Sequence, residues 1–290
     1  MSPIEVRPDA PFLSGIEAAA RAARSPNMVE SMRLERVEPR MQAGLHRLHK
    51  GRYRRIEYGE EGLRFGTLVR MGEAEDHPVV SALYPVIRDT LMLTSSKQIR
   101  NMATVGGNLL QRNRGCAIPG TGRSCIATYS GDFAQALIAL DATVDTIGAS
   151  CGPRRIEFAQ LHRRPGESGR LESALQPGEL ITFINIPAGP WTRRSRYIKI
   201  ALASAAVALH MEGNKVRQAR VALGGVATAP WRSHEAEAIL KGHTLDVSRA
   251  ARAAEAAFAK ARSPEHNELQ IPLRKRTLIR ALLETRAMQV

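Results

Sequence analysis

Two hydrophobic periods follow one another along the chain. Val80, Leu83, Val86, Ile87 and Leu91 recur at three- and four-residue steps, which predicts a helix over 78–93. Phe133 to Leu140 carries the same helical spacing, and Thr143 to Ile147 alternates as a strand. A short strand is expected at Gly62 to Gly66, and a helix over 12–24 is stopped by Ser25-Pro26. Residues 150–178 are rich in Gly, Pro and Arg and read as a boundary. Beyond them period two dominates, in Ile181 to Ile186, Tyr197 to Ile200, Ala205 to Met211 and Val216 to Gly224. Glu212-Gly213-Asn214 joins the last two as a hairpin turn. Helices close the chain at His234 to Leu240, Ser248 to Ala261 and Leu273 to Arg286. Strands followed by helices predict an α+β fold in two parts, residues 1–168 and 169–290.

Composition narrows the class. With 290 residues, 43% hydrophobic and 24% charged, the chain can bury a substantial core. Aromatic residues make up only 4%, so Ala, Leu, Val and Ile must fill that core. Three cysteines, Cys116, Cys125 and Cys151, are too few and odd in number for a secreted disulfide framework. The first residues lack the basic-then-apolar pattern of a signal peptide, so a cytoplasmic protein is expected. Ala201 to Met211 is the longest apolar stretch and falls well short of the ~20 residues that span a bilayer, so no membrane insertion is expected.

A formal charge of +14 raises nucleic acid as a partner. The cations are scattered, however, in small groups such as Arg52, Arg54 and Arg55, or Arg193, Arg194 and Arg196, or Arg274, Lys275 and Arg276. Aromatic–basic interleaving for base stacking is missing. Solvated loops, or a surface for an acidic partner subunit, explain these groups more simply, and no nucleic acid is expected.

One segment carries chemistry. In Thr104-Val105-Gly106-Gly107-Asn108 two glycines follow a β-branched residue, a pattern that lets backbone amides approach a pyrophosphate without an intervening Cβ. A purely structural tight turn would use the same residues. The spacing is not the three-glycine dinucleotide fingerprint, which argues against a Rossmann fold.

The longer run Gln98-Ile99-Arg100-Asn101-Met102-Ala103-Thr104-Val105-Gly106-Gly107-Asn108-Leu109-Leu110-Gln111-Arg112 resembles the FAD-binding medium subunits of the molybdenum hydroxylases, the xanthine dehydrogenase, carbon monoxide dehydrogenase and aldehyde oxidoreductase type. The likeness continues through Cys125 to Asp132, Ala136 to Ala142, Pro177 to Ile181, Ala219 to Ala227 and Pro230-Trp231-Arg232. It implies a two-part FAD-binding α/β domain followed by a small α+β domain. It also implies electron relay from iron–sulfur clusters through FAD to an acceptor. The implied partners are a molybdenum-binding large subunit and an iron–sulfur small subunit. Because the flavin does the redox chemistry, no catalytic side chain is expected in this chain.

By the resemblance, Thr104, Val105, Gly106, Gly107 and Asn108 would hold the pyrophosphate side of FAD. Asp132 would bind FAD through its carboxylate, or else serve as a helix-cap aspartate. Ile181 would pack against the flavin, or else be an inward strand residue. Lys199 would lie near the isoalloxazine or the phosphates, or else be a solvated strand lysine.

Three departures stand out. The early Ala-Gly-Gly-Thr-Asp-Leu-like loop of the family is replaced by Arg24 to Leu34, which has no glycine. Each amide bond so lost to a charged oxygen costs about 1.5–3 kcal/mol, and two or three losses would weaken FAD binding on the order of a thousandfold. The second departure is at Ile200, which runs directly into Ala201 without the usual intervening segment. The third concerns Cys116 and Cys125, which resemble the first and last of four cluster cysteines; two thiolates cannot hold a four-iron cluster, so none is expected. A degenerate subunit that docks partners without flavin is the alternative reading, with a basic nucleic-acid-binding module a second.

Overall fold

The computed structural model describes residues 51–111, 129, 131–148, 151–163, 173–261 and 270–290. The expected helix over 12–24, the glycine-free segment Arg24 to Leu34, Cys116, and the block Cys125 to Thr128 lie outside them.

Among the described residues two antiparallel sheets organise the chain. The first has the order β1 (Ile56–Gly59), β2 (Gly62–Gly66), β5 (Leu180–Pro187), β3 (Thr143–Gly148), β4 (Gly152–Glu157). The second runs β6 (Ser195–Ile200), β7 (Ala203–Glu212), β8 (Lys215–Gly224), β9 (Trp231–Arg232). Between β2 and β3 come α1 (Met71–Asp76), α2 (Pro78–Leu83), α3 (Pro85–Thr94), α4 (Lys97–Met102), α5 (Val105–Leu109) and α6 (Asp132–Ala139). A single turn, α7 (Phe158–Leu161), follows β4. The chain closes with α8 (His234–Leu240), α9 (Val247–Phe258) and α10 (Gln270–Ala287). The expected α+β class is what is observed.

The helix expected over 78–93 is two helices. Pro85 has no amide to give, and the residue before a proline is pushed out of the helical region. Tyr84 accordingly sits at φ −136°, ψ 56°, and Pro85 opens α3. The boundary expected at 168/169 also moves. Strand β5 pairs with both β2 and β3, so residues 180–187 belong to the middle of the first sheet, and the break falls between Pro187 and Ser195.

The second sheet is buried on both faces, which its alternation encodes. Tyr197, Ala206, Ala208 and Ala222 join the core that contains α3, α6 and the first sheet. Their neighbours Ile198, Ala205, Val207, Leu209, Val221 and Leu223 pack against α8, α9 and α10. The layers therefore run sheet, helices, sheet, helices. On the central level α3 meets β6 directly: Asp89 accepts a hydrogen bond from the Tyr197 amide at 3.2 Å and lies 3.3 Å from Arg196.

The abrupt join after Ile200 is a tight hairpin. Ile200 pairs with Ala203, and Ala201 takes the left-handed φ of 52°. A bare two-residue link thus connects β6 to β7.

Candidate functional site

Thr104 is the N-cap of α5, its hydroxyl accepting from the Gly107 amide at 3.2 Å. The remaining amides of the turn also have partners inside the chain. Val105 donates to the Val69 carbonyl at 2.9 Å, Gly106 to the Thr67 carbonyl at 3.0 Å, and Asn108 to the Thr104 carbonyl at 3.0 Å. Gly106 is pressed against Thr67 so closely that a Cβ would lie 1.7 Å from the Thr67 hydroxyl. The glycine serves close packing of the turn on the β2–α1 loop. These amides, expected to face a pyrophosphate, are engaged within the chain in the structure.

What the turn still offers is a side chain. The amide oxygen of Asn108 is buried and has no hydrogen-bond partner. A carboxamide supplies both an acceptor and donors, and a buried orphan of this kind costs about 1–3 kcal/mol unless something meets it. At the far end of α5, His162 Nε2 bonds the Leu109 carbonyl at 2.9 Å and ties the helix to the segment after α7. Burial holds the His162 imidazole below its ordinary pKa, against the opposing effect of that carbonyl.

Asp132 opens α6 and is 5% exposed, its carboxylate held by two side chains of the second sheet. The Tyr197 hydroxyl donates to one oxygen at 2.5 Å, and the Lys199 ammonium to the other at 2.6 Å. Tyr197 and Lys199 are two apart on β6 and so share a face. Burial, reinforced by the neighbouring Asp132 carboxylate, raises the Tyr197 phenol far above its ordinary value, so it acts only as a neutral hydroxyl. The Lys199 side chain is 32% exposed and reaches the rim, whereas Tyr197 is 2% exposed and interior.

The structure thus brings together Asp132 and Lys199, expected site residues 67 positions apart. Ile181 lies 4% exposed on β5 within the core shared with α5 and α6, the inward strand position. Sequence reasoning missed Tyr197 and Thr67. For Tyr197 a signal existed, since alternation places it on the face of Lys199; for Thr67 there was none.

Fit to a flavin dinucleotide rests on these donors and acceptors. The orphaned Asn108 carboxamide and the Asp132–Lys199 pair suit a ligand that mixes hydroxyls, ring N–H groups and charge. The described residues hold no group of three or more His, Cys, Asp or Glu side chains able to bind a metal. None of their helices is long and apolar enough to cross a membrane.

Comparison with known proteins agrees with this architecture. The family described as "FAD binding domain in molybdopterin dehydrogenase" matches residues 23–189, and "CO dehydrogenase flavoprotein C-terminal domain" matches 193–285. The division between them coincides with the break between the two sheets. The aldehyde oxidoreductase FAD-binding subunit PaoB of Escherichia coli is 34% identical, over 93% of this chain and 95% of that protein. The carbon monoxide dehydrogenase medium chain of Afipia carboxidovorans is 31% identical over 58% of this chain and 53% of its own. Among solved structures, reconstituted CO dehydrogenase from Oligotropha carboxidovorans superposes with a TM-score of 0.66 at 27% identity, covering 82% of this chain and 80% of that one. Quinoline 2-oxidoreductase from Pseudomonas putida 86 shares the fold, with a TM-score of 0.72 at 22% identity over 94% and 93% of the two chains. With both domain families in order and a full-length relative at this identity, the chain belongs to the FAD-binding medium subunits of the molybdenum hydroxylase family.

Proposed function

We propose that the chain carries FAD in a multi-subunit molybdenum hydroxylase and relays electrons through it. On this reading they arrive from iron–sulfur clusters of a small subunit, which drains a molybdenum-binding large subunit, and leave to an acceptor. The observation that carries the proposal is the meeting of Asp132 with Lys199 across the two domains, together with the unsatisfied amide oxygen of Asn108 on α5. FAD, when bound, supplies two-electron and one-electron redox chemistry; the chain supplies binding, orientation and a shielded setting. Asp132 and Asn108 would accept or donate hydrogen bonds to it, Lys199 would add charge at the rim, and Ile181 would lie in the wall behind.

The spent amides of the Thr104–Asn108 turn favour a second reading, in which the chain keeps the fold and docks partners without flavin. One purification separates the two. The complex, isolated with its partner chains, is expected to show flavin absorption and to release stoichiometric FAD on denaturation. A colourless complex that takes up no added FAD overturns the electron-relay proposal and leaves the docking role.

A further inference from the structure

The side chains around Asp132 form a directed chain, and its direction can be read from the chemistry. Asp132, as a carboxylate, only accepts; Lys199 only donates; Tyr197 therefore donates its single proton to Asp132. Ser204, paired with Lys199 across β6 and β7, presents its hydroxyl on the same face of the sheet as Tyr197. Room for that hydroxyl exists because residue 224 is glycine: a Cβ there would lie 2.0 Å from Ser204 Oγ. Two neighbours on one face of β6, Tyr197 and Lys199, thus converge on the Asp132 carboxylate.

One acceptor close by has no donor. Gln135, a turn further along α6 and 1% exposed, has a buried amide oxygen without a partner, while its nitrogen reaches only the Gly131 carbonyl at 3.4 Å. Asp132 and Gln135 thus both present acceptor capacity, and among the described residues the cation in contact with Asp132, Lys199, is already paired. Such a setting attracts ligand O–H and N–H groups and does not attract phosphate, which would meet the carboxylate charge.

We propose that Tyr197, with Lys199, is a positioning residue of the flavin site: the pair orients Asp132 across the domain boundary so that the carboxylate receives hydroxyl or N–H groups of the dinucleotide, not its phosphates. The inference rests on the reading that FAD binds at Asp132. Each carboxylate oxygen keeps a lone pair after accepting one bond, so Asp132 remains able to accept from the ligand while held. Lys199 acts here through Asp132, a role beyond the expectation that it lies near the isoalloxazine or the phosphates.

The test uses the whole complex, stripped of flavin and titrated with FAD, with binding read by flavin fluorescence and folding by circular dichroism. Tyr197→Phe removes only the hydroxyl and is expected to weaken FAD roughly tenfold, the loss of about one charge-assisted hydrogen bond. In an Asp132→Asn background the same change is expected to have little further effect, because the tyrosine acts through the carboxylate. Lys199→Gln, at a position near the rim, provides a second arm should Tyr197→Phe fail to fold, with the same non-additivity expected. If the wild-type complex binds FAD but both variants bind it with unchanged affinity, or their effects add fully to that of Asp132→Asn, the positioning role is overturned and the flavin reading stands. A wild-type complex that binds no FAD overturns both.

Discussion

Gly106 and Thr67 are packed so tightly that no side chain fits between them: a methyl group at residue 106 would overlap the Thr67 hydroxyl at 1.7 Å. The contact welds the start of α5 to the loop leaving β2, and the Gly106 amide adds a hydrogen bond to the Thr67 carbonyl. Gly106→Ala is expected to destabilise the protein by about 1–3 kcal/mol, the usual penalty of overpacking. Adding Thr67→Ala should restore only part of this, since the Thr67 carbonyl oxygen would still lie 2.9 Å from the new methyl. Urea denaturation of the three proteins checks it; equal stability of Gly106→Ala and wild type refutes the packing role.

A second weld lies at α4. Arg100, 7% exposed, donates to both oxygens of Glu75, at 2.6 and 3.2 Å, and to the carbonyls of Met92 and Ser95. Arg100→Met strands a buried carboxylate and is expected to cost about 3–5 kcal/mol. Lys97, 3.4 Å from the same carboxylate, should hold the loss toward the lower end. Replacing Glu75 with Leu as well should recover much of it, and thermal melting of the single and double variants measures the difference.

The β6–β7 link predicts a gain. Ala201 has φ 52°, a conformation that costs an L-residue about 1–2 kcal/mol and glycine nothing. After the greater flexibility of unfolded glycine is deducted, Ala201→Gly should stabilise the protein by about 0.5–1 kcal/mol. A lower melting temperature for the variant would contradict this account of the join.

Acid should loosen the first sheet. Burial raises the Glu179 carboxyl, but Arg154, the Gln176 amide and Thr146 together outweigh it and hold the group below its ordinary pKa. A group depressed in the folded state contributes stability above its unfolded pKa, about 4.3 for Glu, and loses it as pH falls through the folded value. Glu179→Gln should therefore be less stable than wild type at pH 7, with the gap closing progressively below about pH 4. Denaturation midpoints across that range decide it, and a gap independent of pH would sink the assignment.

Much of the architecture was legible from alternation alone. Strands at 181–186, 205–211 and 216–224 and the helix at 234–240 stand where the pattern put them, because burial on one or two faces imprints the period. Strand β4 escaped notice because it is an edge strand containing Pro153 and three arginine or glutamate positions, paired with β3 alone. The site was legible only through resemblance: Asp132 and Lys199 carry no local mark, and their meeting depends on how the second sheet packs on α6. Thr67 escaped for the same reason, since its partner lies 39 residues on and only the folded loop brings it to Gly106.

The second sheet's two buried faces have a mechanical consequence. Parting the lobes would drag Tyr197, Ala206, Ala208 and Ala222 into water on one side and cut the Asp132 bonds at the same stroke. Separation of the lobes is therefore costly on two counts at once, and the partly exposed Lys199 marks where the seam meets solvent.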